Sequence, residues 1–319
     1  MRKIHPIILL LLICPGIVAA EIKIGIIGLD TSHAVAFTRT INDSSRPDYV
    51  PGGRVIAAFK GGSPDLTASA GRIDKFTAEL QEKYKIKLVD SIPALCEMVD
   101  AILLESVDGR VHLEQVRQAF QSKKPVFIDK PLAASYEDAA KIAALGRQTG
   151  TPWFSSSSLR YAPAFQGVKS NETTGKVHGA ESCGPATLEP TNPGFFWYGI
   201  HAVEILYTAL GPGCEKVTMT STKDYDLAVG VWKDGRIGTV RGLRAGKEMY
   251  GLLVFGEKTV QCLSPSETSY VPLVQKIMEF FQTRTAPVPN SETLEIMAFI
   301  EAAEQSRKQG GIPIPLPQR

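Results

Sequence analysis

The sequence is poor in cysteine, with five in 319 residues and none in a Cys-x-x-Cys pair. That excludes a disulfide-dense scaffold, and no set of metal ligands is nominated by spacing. Cys96, Cys183, Cys214 and Cys262 read as buried free thiols. A Cys183–Cys214 disulfide is the alternative in an oxidising compartment. The chain also lacks an excess of one charge: 35 Lys and Arg stand against 33 Asp and Glu, for a net charge of +2. No basic field invites nucleic acid. Repeats and low-complexity segments are missing. The one long apolar run, residues 7–13, is too short to span a membrane comfortably.

That run fits a secretory leader over residues 1–20. Arg2 and Lys3 form its charged start, Pro15 and Gly16 break it, and Val18, Ala19 and Ala20 are small residues suited to cleavage. Twin arginines are missing, so the expectation is Sec-type export to the periplasm or beyond, with no stable membrane insertion after cleavage. A mis-called start codon or a membrane anchor is the alternative. A chain threaded unfolded carries no cofactor with it, so a dinucleotide would have to be found outside the cytoplasm.

What is present is led by residues 22–40. A short β-branched run ends at Gly28 and turns through Leu29-Asp30-Thr31-Ser32-His33 into a helix. A strand turning at glycine into a helix opens a doubly wound domain, and the helix N-terminus invites an anion. The dinucleotide fingerprint Gly-x-Gly-x-x-Gly keeps only its first glycine here. Asp30 and His33 hold the other two places. Like charges at 4 Å repel by about 4 kcal/mol at an effective dielectric of 20, so Asp30 is expected to hinder a pyrophosphate and to cap its own helix with Thr31 and Ser32.

Strands alternate with helices to residue 150: strands near 54–60, 86–89, 100–105 and 125–129, with Ser91 and Ser135 as helix caps. This predicts a parallel sheet covered on both faces. Beyond Gly150 the pattern becomes strand-rich, with strands near 176–183, 216–221, 227–232, 236–243, 250–255 and 259–263 and a hairpin signal at Lys233-Asp234-Gly235. Helices are expected over 199–210, 271–281 and 291–309, the last capped by Ser291. The fold class is α/β: a Rossmann-like doubly wound domain over 21–152, then an α+β domain with a largely antiparallel sheet over 153–319, C-terminal helices included.

Two constellations carry chemistry. Phe127-Ile128-Asp129-Lys130-Pro131 stands where a strand leaves the carboxyl edge of the parallel sheet. Ligands bind at that edge, and a lysine there can polarise an oxygen and pass a proton. A solvated lysine beside a turn is the alternative. His201 follows an aromatic run and lies one helical turn before Glu204. The pair could share a hydrogen bond or a cation, though two ligands do not make a metal site. Lys60 ends the second strand where Asp or Glu would hold the ribose diol of NAD, which favours NADP over NAD; an exposed loop lysine is the alternative.

Asp129-Lys130-Pro131 resembles the Glu-Lys-Pro motif of the glucose–fructose oxidoreductase, inositol dehydrogenase and MocA-like family. The likeness takes in the turn at Gly28, His112 opening a helix, Leu159-Arg160-Tyr161, Gly199-Ile200-His201 and the late run 301–306. The resemblance implies an NAD(P)-dependent oxidoreductase acting on a sugar, polyol or related hydroxy compound. It makes Lys130 and His201 the catalytic residues. Arg160, Tyr161 and Tyr198 would face the substrate. Gly28, Asp30, Thr31, Ser32, His33, Lys60 and Asp129 would face the cofactor. It also implies a homo-oligomer built on the second sheet. One departure is Trp197, which stands where the family's histidine has its aspartate partner. Tyr198 or Glu204 could replace it. The rival readings on the same scaffold are a non-catalytic ligand-binding protein and a nicotinamide-assisted glycoside hydrolase.

Overall fold

The computed structural model describes residues 20–170 and 172–317. The leader expected over residues 1–20 lies, apart from Ala20, outside them. No helix among the described residues is long and apolar enough to cross a membrane.

The first domain alternates strand and helix: β1 (Ile22–Ile27), α1 (Ser32–Asn42), β2 (Gly53–Phe59), α2 (Thr67–Ala70), α3 (Ile73–Tyr84), β3 (Lys87–Val89), α4 (Ile92–Met98), β4 (Ala101–Leu104), α5 (His112–Ala119), β5 (Val126–Ile128), α6 (Tyr136–Thr149) and β6 (Trp153–Ser155). The six strands are parallel, in the order β3-β2-β1-β4-β5-β6. That is the doubly wound order whose crevice opens at the carboxyl end of the central strands. β1, β4 and β5 are apolar runs because both faces of the sheet are covered; Ile24, Ile26, Leu103 and Phe127 are fully buried. Ser91 and Ser135 cap α4 and α6 as their sequences imply.

The second domain contains β7 (Val177–Pro185), α7 (Ile200–Leu210), β8 (Cys214–Ser221), β9 (Tyr225–Trp232), β10 (Ile237–Leu243), β11 (Gly251–Gly256), β12 (Val260–Leu263), α8 (Val271–Thr283), α9 (Asn290–Lys308) and β13 (Ile314–Pro315). Its sheet runs β12-β11-β7-β10-β9-β8-β13, antiparallel except where β7 meets β10. The four cysteines in the described residues are free thiols, so Cys183 and Cys214 are not bridged.

Three boundaries differ from the sequence reading. Residues 153–155, assigned above to the second domain, form the sixth strand of the first sheet. α8 packs into the first domain: Leu273, Val274 and Ile277 share a core with Ile24, Phe37 and Leu103. Ser291 lies inside α9 rather than at its cap, which is Pro289 and offers no side-chain oxygen.

Candidate active-site cleft

Between the domains lies a cleft of about 390 Å³, within the range of small-molecule sites. The first domain contributes Thr31, Ser32, His33, Arg72, Val107, Lys130 and Pro131. The second contributes Ser158, Leu159, Trp197, Tyr198, His201 and Tyr250, and Tyr270 comes from the start of α8.

The register of the parallel strands explains the first wall. Ile27 pairs with Leu104, and Leu104 with Ile128. The residues that follow, Gly28, Glu105 and Asp129, therefore stand side by side on the carboxyl edge. Gly28 has φ +89°, and a Cβ there would fall 2.5 Å from the Ser106 backbone nitrogen. Its smallness serves the tight turn between β1 and α1. Thr31 caps α1 by accepting from the His33 N–H at 3.2 Å.

Asp30 neither caps the helix nor faces the cleft. It is fully buried; its Oδ2 accepts from Ser69 Oγ at 2.6 Å and its Oδ1 from the Val107 N–H at 3.0 Å. The expected obstruction is thus turned inward, because α2 and the loop after β4 supply donors behind the turn. Exposed Ser32 and the helix N-terminus are left open to the cleft. Lys60 does not reach the cleft either. It pairs with exposed Asp74 at 2.7 Å. The cation that lines the cleft on that side is Arg72.

Lys130 sits at the end of β5, with a cis peptide to Pro131. Its Nζ lies 5.7 Å from the centre of the Tyr198 ring. The Tyr198 ring in turn meets His201 edge-on at 5.9 Å. His112 fastens this corner: its Nε2 lies 2.8 Å from the Ser106 carbonyl and its Nδ1 3.2 Å from that of Leu132.

His201 opens α7, and its Nδ1 lies 2.7 Å from Ser157 Oγ. Neither Tyr198 nor Glu204 is that partner. Burial, and then the charge of Lys130, push the imidazole well below the ordinary 6.5, so the ring is neutral at pH 7. With Nδ1 engaged by Ser157, Nε2 is the nitrogen left for a ligand.

Glu204 is claimed elsewhere. Its Oε2 accepts from Arg160 Nε at 2.5 Å and its Oε1 from the Ser157 N–H at 3.3 Å. Arg160 also donates to Glu292 on α9 at 2.7 Å. Arg160 and Tyr161 therefore do not face the cleft as expected; they border a separate depression with Phe165 and Val288. A buried guanidinium between two carboxylates is spent on holding the short 3-10 turn Ser158–Tyr161 after β6 to α7 and α9. Tyr161 is nearly enclosed, and burial pushes its hydroxyl up to about 12.

Asp129 lies behind the cleft wall, 2.8 Å from His33 Nδ1. Burial alone would raise its carboxyl, but His33 and Lys130 outweigh that and hold it below the usual range. Glu105, beside it, is pushed well up by burial and then by the charge of Asp129. Arg72, Ser157, Glu105, Tyr250 and Tyr270 were not singled out by sequence. Two of them carried a readable signal: Ser157 lies in the run Ser155–Ser158, and Glu105 ends a buried strand on the ligand-binding edge.

A family profile described as "Oxidoreductase family, NAD-binding Rossmann fold" matches residues 22–155. Residues 22–155, somewhat under half of the chain, thus match the NAD-binding Rossmann domain of the Gfo/Idh/MocA oxidoreductases. YceM of Salmonella typhimurium, a protein with an oxidoreductase name, is 29% identical over 115 residues, which is 34% of this chain and 37% of that protein. The match thus spans little more than a third of that relative. The two-domain fold is shared more widely. GenD2 from gentamicin A biosynthesis, solved with NAD, superposes with a TM-score of 0.73 at 15% identity, covering 96% of this chain and 100% of that one. The myo-inositol dehydrogenase of Lactobacillus casei, solved with NAD(H) and myo-inositol, gives 0.72 at 16%, covering 94% and 98%. The WlbA dehydrogenase of Bordetella pertussis, solved with NADH and UDP-GlcNAcA, gives 0.74 at 15%, covering 94% and 100%. At these identities the likeness is one of fold. The segment that matches this NAD-binding Rossmann profile is the first domain, and the cleft described above lies at its carboxyl edge.

Proposed function

We propose that the protein is an NAD(P)-dependent oxidoreductase acting on a hydroxyl or carbonyl of a sugar, polyol or related small molecule. The observation that carries this reading is that Lys130 and His201, from different domains, line one cleft beside the open N-terminus of α1. The inward turn of Asp30 supports the fit of a dinucleotide at that turn. The α1 N-terminus and Arg72 would hold its phosphates. When bound, the nicotinamide supplies a hydride donor or acceptor. Lys130 would hold and polarise the reacting oxygen from the first domain. His201, neutral and fixed by Ser157, would take or return the hydroxyl proton at Nε2. Tyr198 would keep the two apart and bound the substrate's apolar face. Lys60, engaged by Asp74, supplies no ground for preferring NADP over NAD. The charged start and apolar run of residues 2–13 support export through a Sec-type leader.

Calorimetric titration of the purified chain with NAD and with NADP tests the reading. Saturable binding of one of them, weakened at least tenfold in Arg72→Ala, is expected. Heat from neither cofactor, in a folded protein across pH and salt, would overturn it.

A further inference from the structure

Glu105 stands out among the buried carboxylates. It follows the apolar strand β4, is fully buried, and neither of its carboxylate oxygens has a hydrogen-bond partner among the described residues. Asp30, Asp108, Glu204 and Asp226 are buried too, and each accepts from a named donor. A buried carboxyl without a partner either keeps its proton or gives it up to a bound cation. Asp129, its neighbour on the edge, also keeps Oδ1 without a partner. His33 faces the same point from the start of α1. One donor atom from each of His33, Glu105 and Asp129 lies within 4.8 Å of the others.

We propose that His33, Glu105 and Asp129 form a binding site for one divalent transition-metal cation at the floor of the cleft. One imidazole and two carboxylates make a mixed nitrogen and oxygen set, suited to Zn²⁺, Mn²⁺ or Fe²⁺ rather than to Ca²⁺. Zinc held at about 2.0–2.2 Å keeps its donors roughly 3.4 Å apart, so side-chain rotations of about an ångström close the set. The cation exchanges the His33–Asp129 hydrogen bond for coordination. Binding releases the proton of Glu105, and the two carboxylates then carry the opposing charge, against the single positive charge of neighbouring Lys130. Tyr270 packs edge-on against His33 at 4.7 Å and Phe37 stacks on it at 5.3 Å, which fixes the imidazole before any ion arrives. Of the three ligands only His33 also lines the cleft. A fourth coordination position on that side is where an oxygen-bearing ligand would meet the metal. The site is independent of the oxidoreductase reading, since an ion can bind whether or not a dinucleotide does.

Tag-free full-length chain, stripped with chelator and kept free of nucleotide, should take up one equivalent of Zn²⁺ by calorimetry with a micromolar or tighter Kd. Glu105→Gln should weaken this at least 30-fold, while Glu137→Gln, at an exposed helical carboxylate, leaves it unchanged. Should Glu105→Gln fail to fold, Asp129→Asn takes its place, and Co²⁺ added to the wild type should give visible bands saturating at one equivalent. No saturable uptake, equal affinity in wild type and in a folded Glu105 or Asp129 variant, or no such bands would overturn the proposal. Nucleotide binding is recorded in separate titrations, so the two readings fail separately.

Discussion

Arg160, Glu204 and Glu292 form one buried charged cluster, and His33, Glu105 and Asp129 form another. In the first, a guanidinium lies between two carboxylates at hydrogen-bonding distance, and Arg160 Nη2 is its one buried polar atom without a partner among the described residues. Its members join the turn after β6 to α7 and α9, and none of them lines the cleft. In the second, three carboxylate oxygens lack partners among the described residues, and His33 borders the cleft directly. Both clusters are equally hidden, so burial does not separate scaffold from site. The completeness of the hydrogen bonding does: the first cluster is closed on itself, and the second still has coordination to offer.

The largest effect that would sharpen this contrast comes from opening the closed cluster. Arg160→Leu strands two buried carboxylates and should cost about 3–5 kcal/mol of stability, read as a shifted urea midpoint. An unchanged midpoint would break the comparison. On the cleft side, Lys130→Met should lower kcat/KM about 100-fold or more yet alter stability by no more than about 0.5 kcal/mol. A large loss of stability there would make Lys130 part of the scaffold instead.

A subtler effect concerns His201. Burial and the positive charge of Lys130 both disfavour its imidazolium, so by NMR its ring should titrate below the ordinary 6.5. Removing the cation in Lys130→Met should move that titration upward. A downward shift or none would separate the two residues electrostatically. The smallest effect is expected from Ser157→Ala, which removes the Nδ1 partner at a cost of about 1 kcal/mol. Melting would read it, with the His201 titration moving in the same variant.

Much of the architecture was legible because it rests on local pattern. The turn at Gly28, the buried strands ending at Glu105 and Asp129, and the caps Ser91 and Ser135 each follow from residues a few places apart. Lys130 and His201 were findable for a related reason: each begins or ends an element whose type the sequence declares. What was lost depends on partners distant in the chain. Asp30 is disarmed by Ser69 and Val107, and Arg160 is drawn from the cleft by Glu204 and Glu292, 44 and 132 residues away. Lys60 is occupied by Asp74 across a loop. A charged side chain near a predicted site reads as a ligand contact until its competitors are known, and spacing does not disclose them.

α8 carries a practical consequence. The chain leaves the first domain after β6, builds the second sheet, and then returns to lay Leu273, Val274, Ile277 and Phe280 against the apolar face beside α1. An excised nucleotide-binding fragment ending near residue 155 would bare that greasy surface and tend to clump. The same return strap means that the chain crosses between the domains three times, after β6, before α8 and after it, so breathing of the crevice is restrained at three places, with Tyr270 riding on the second.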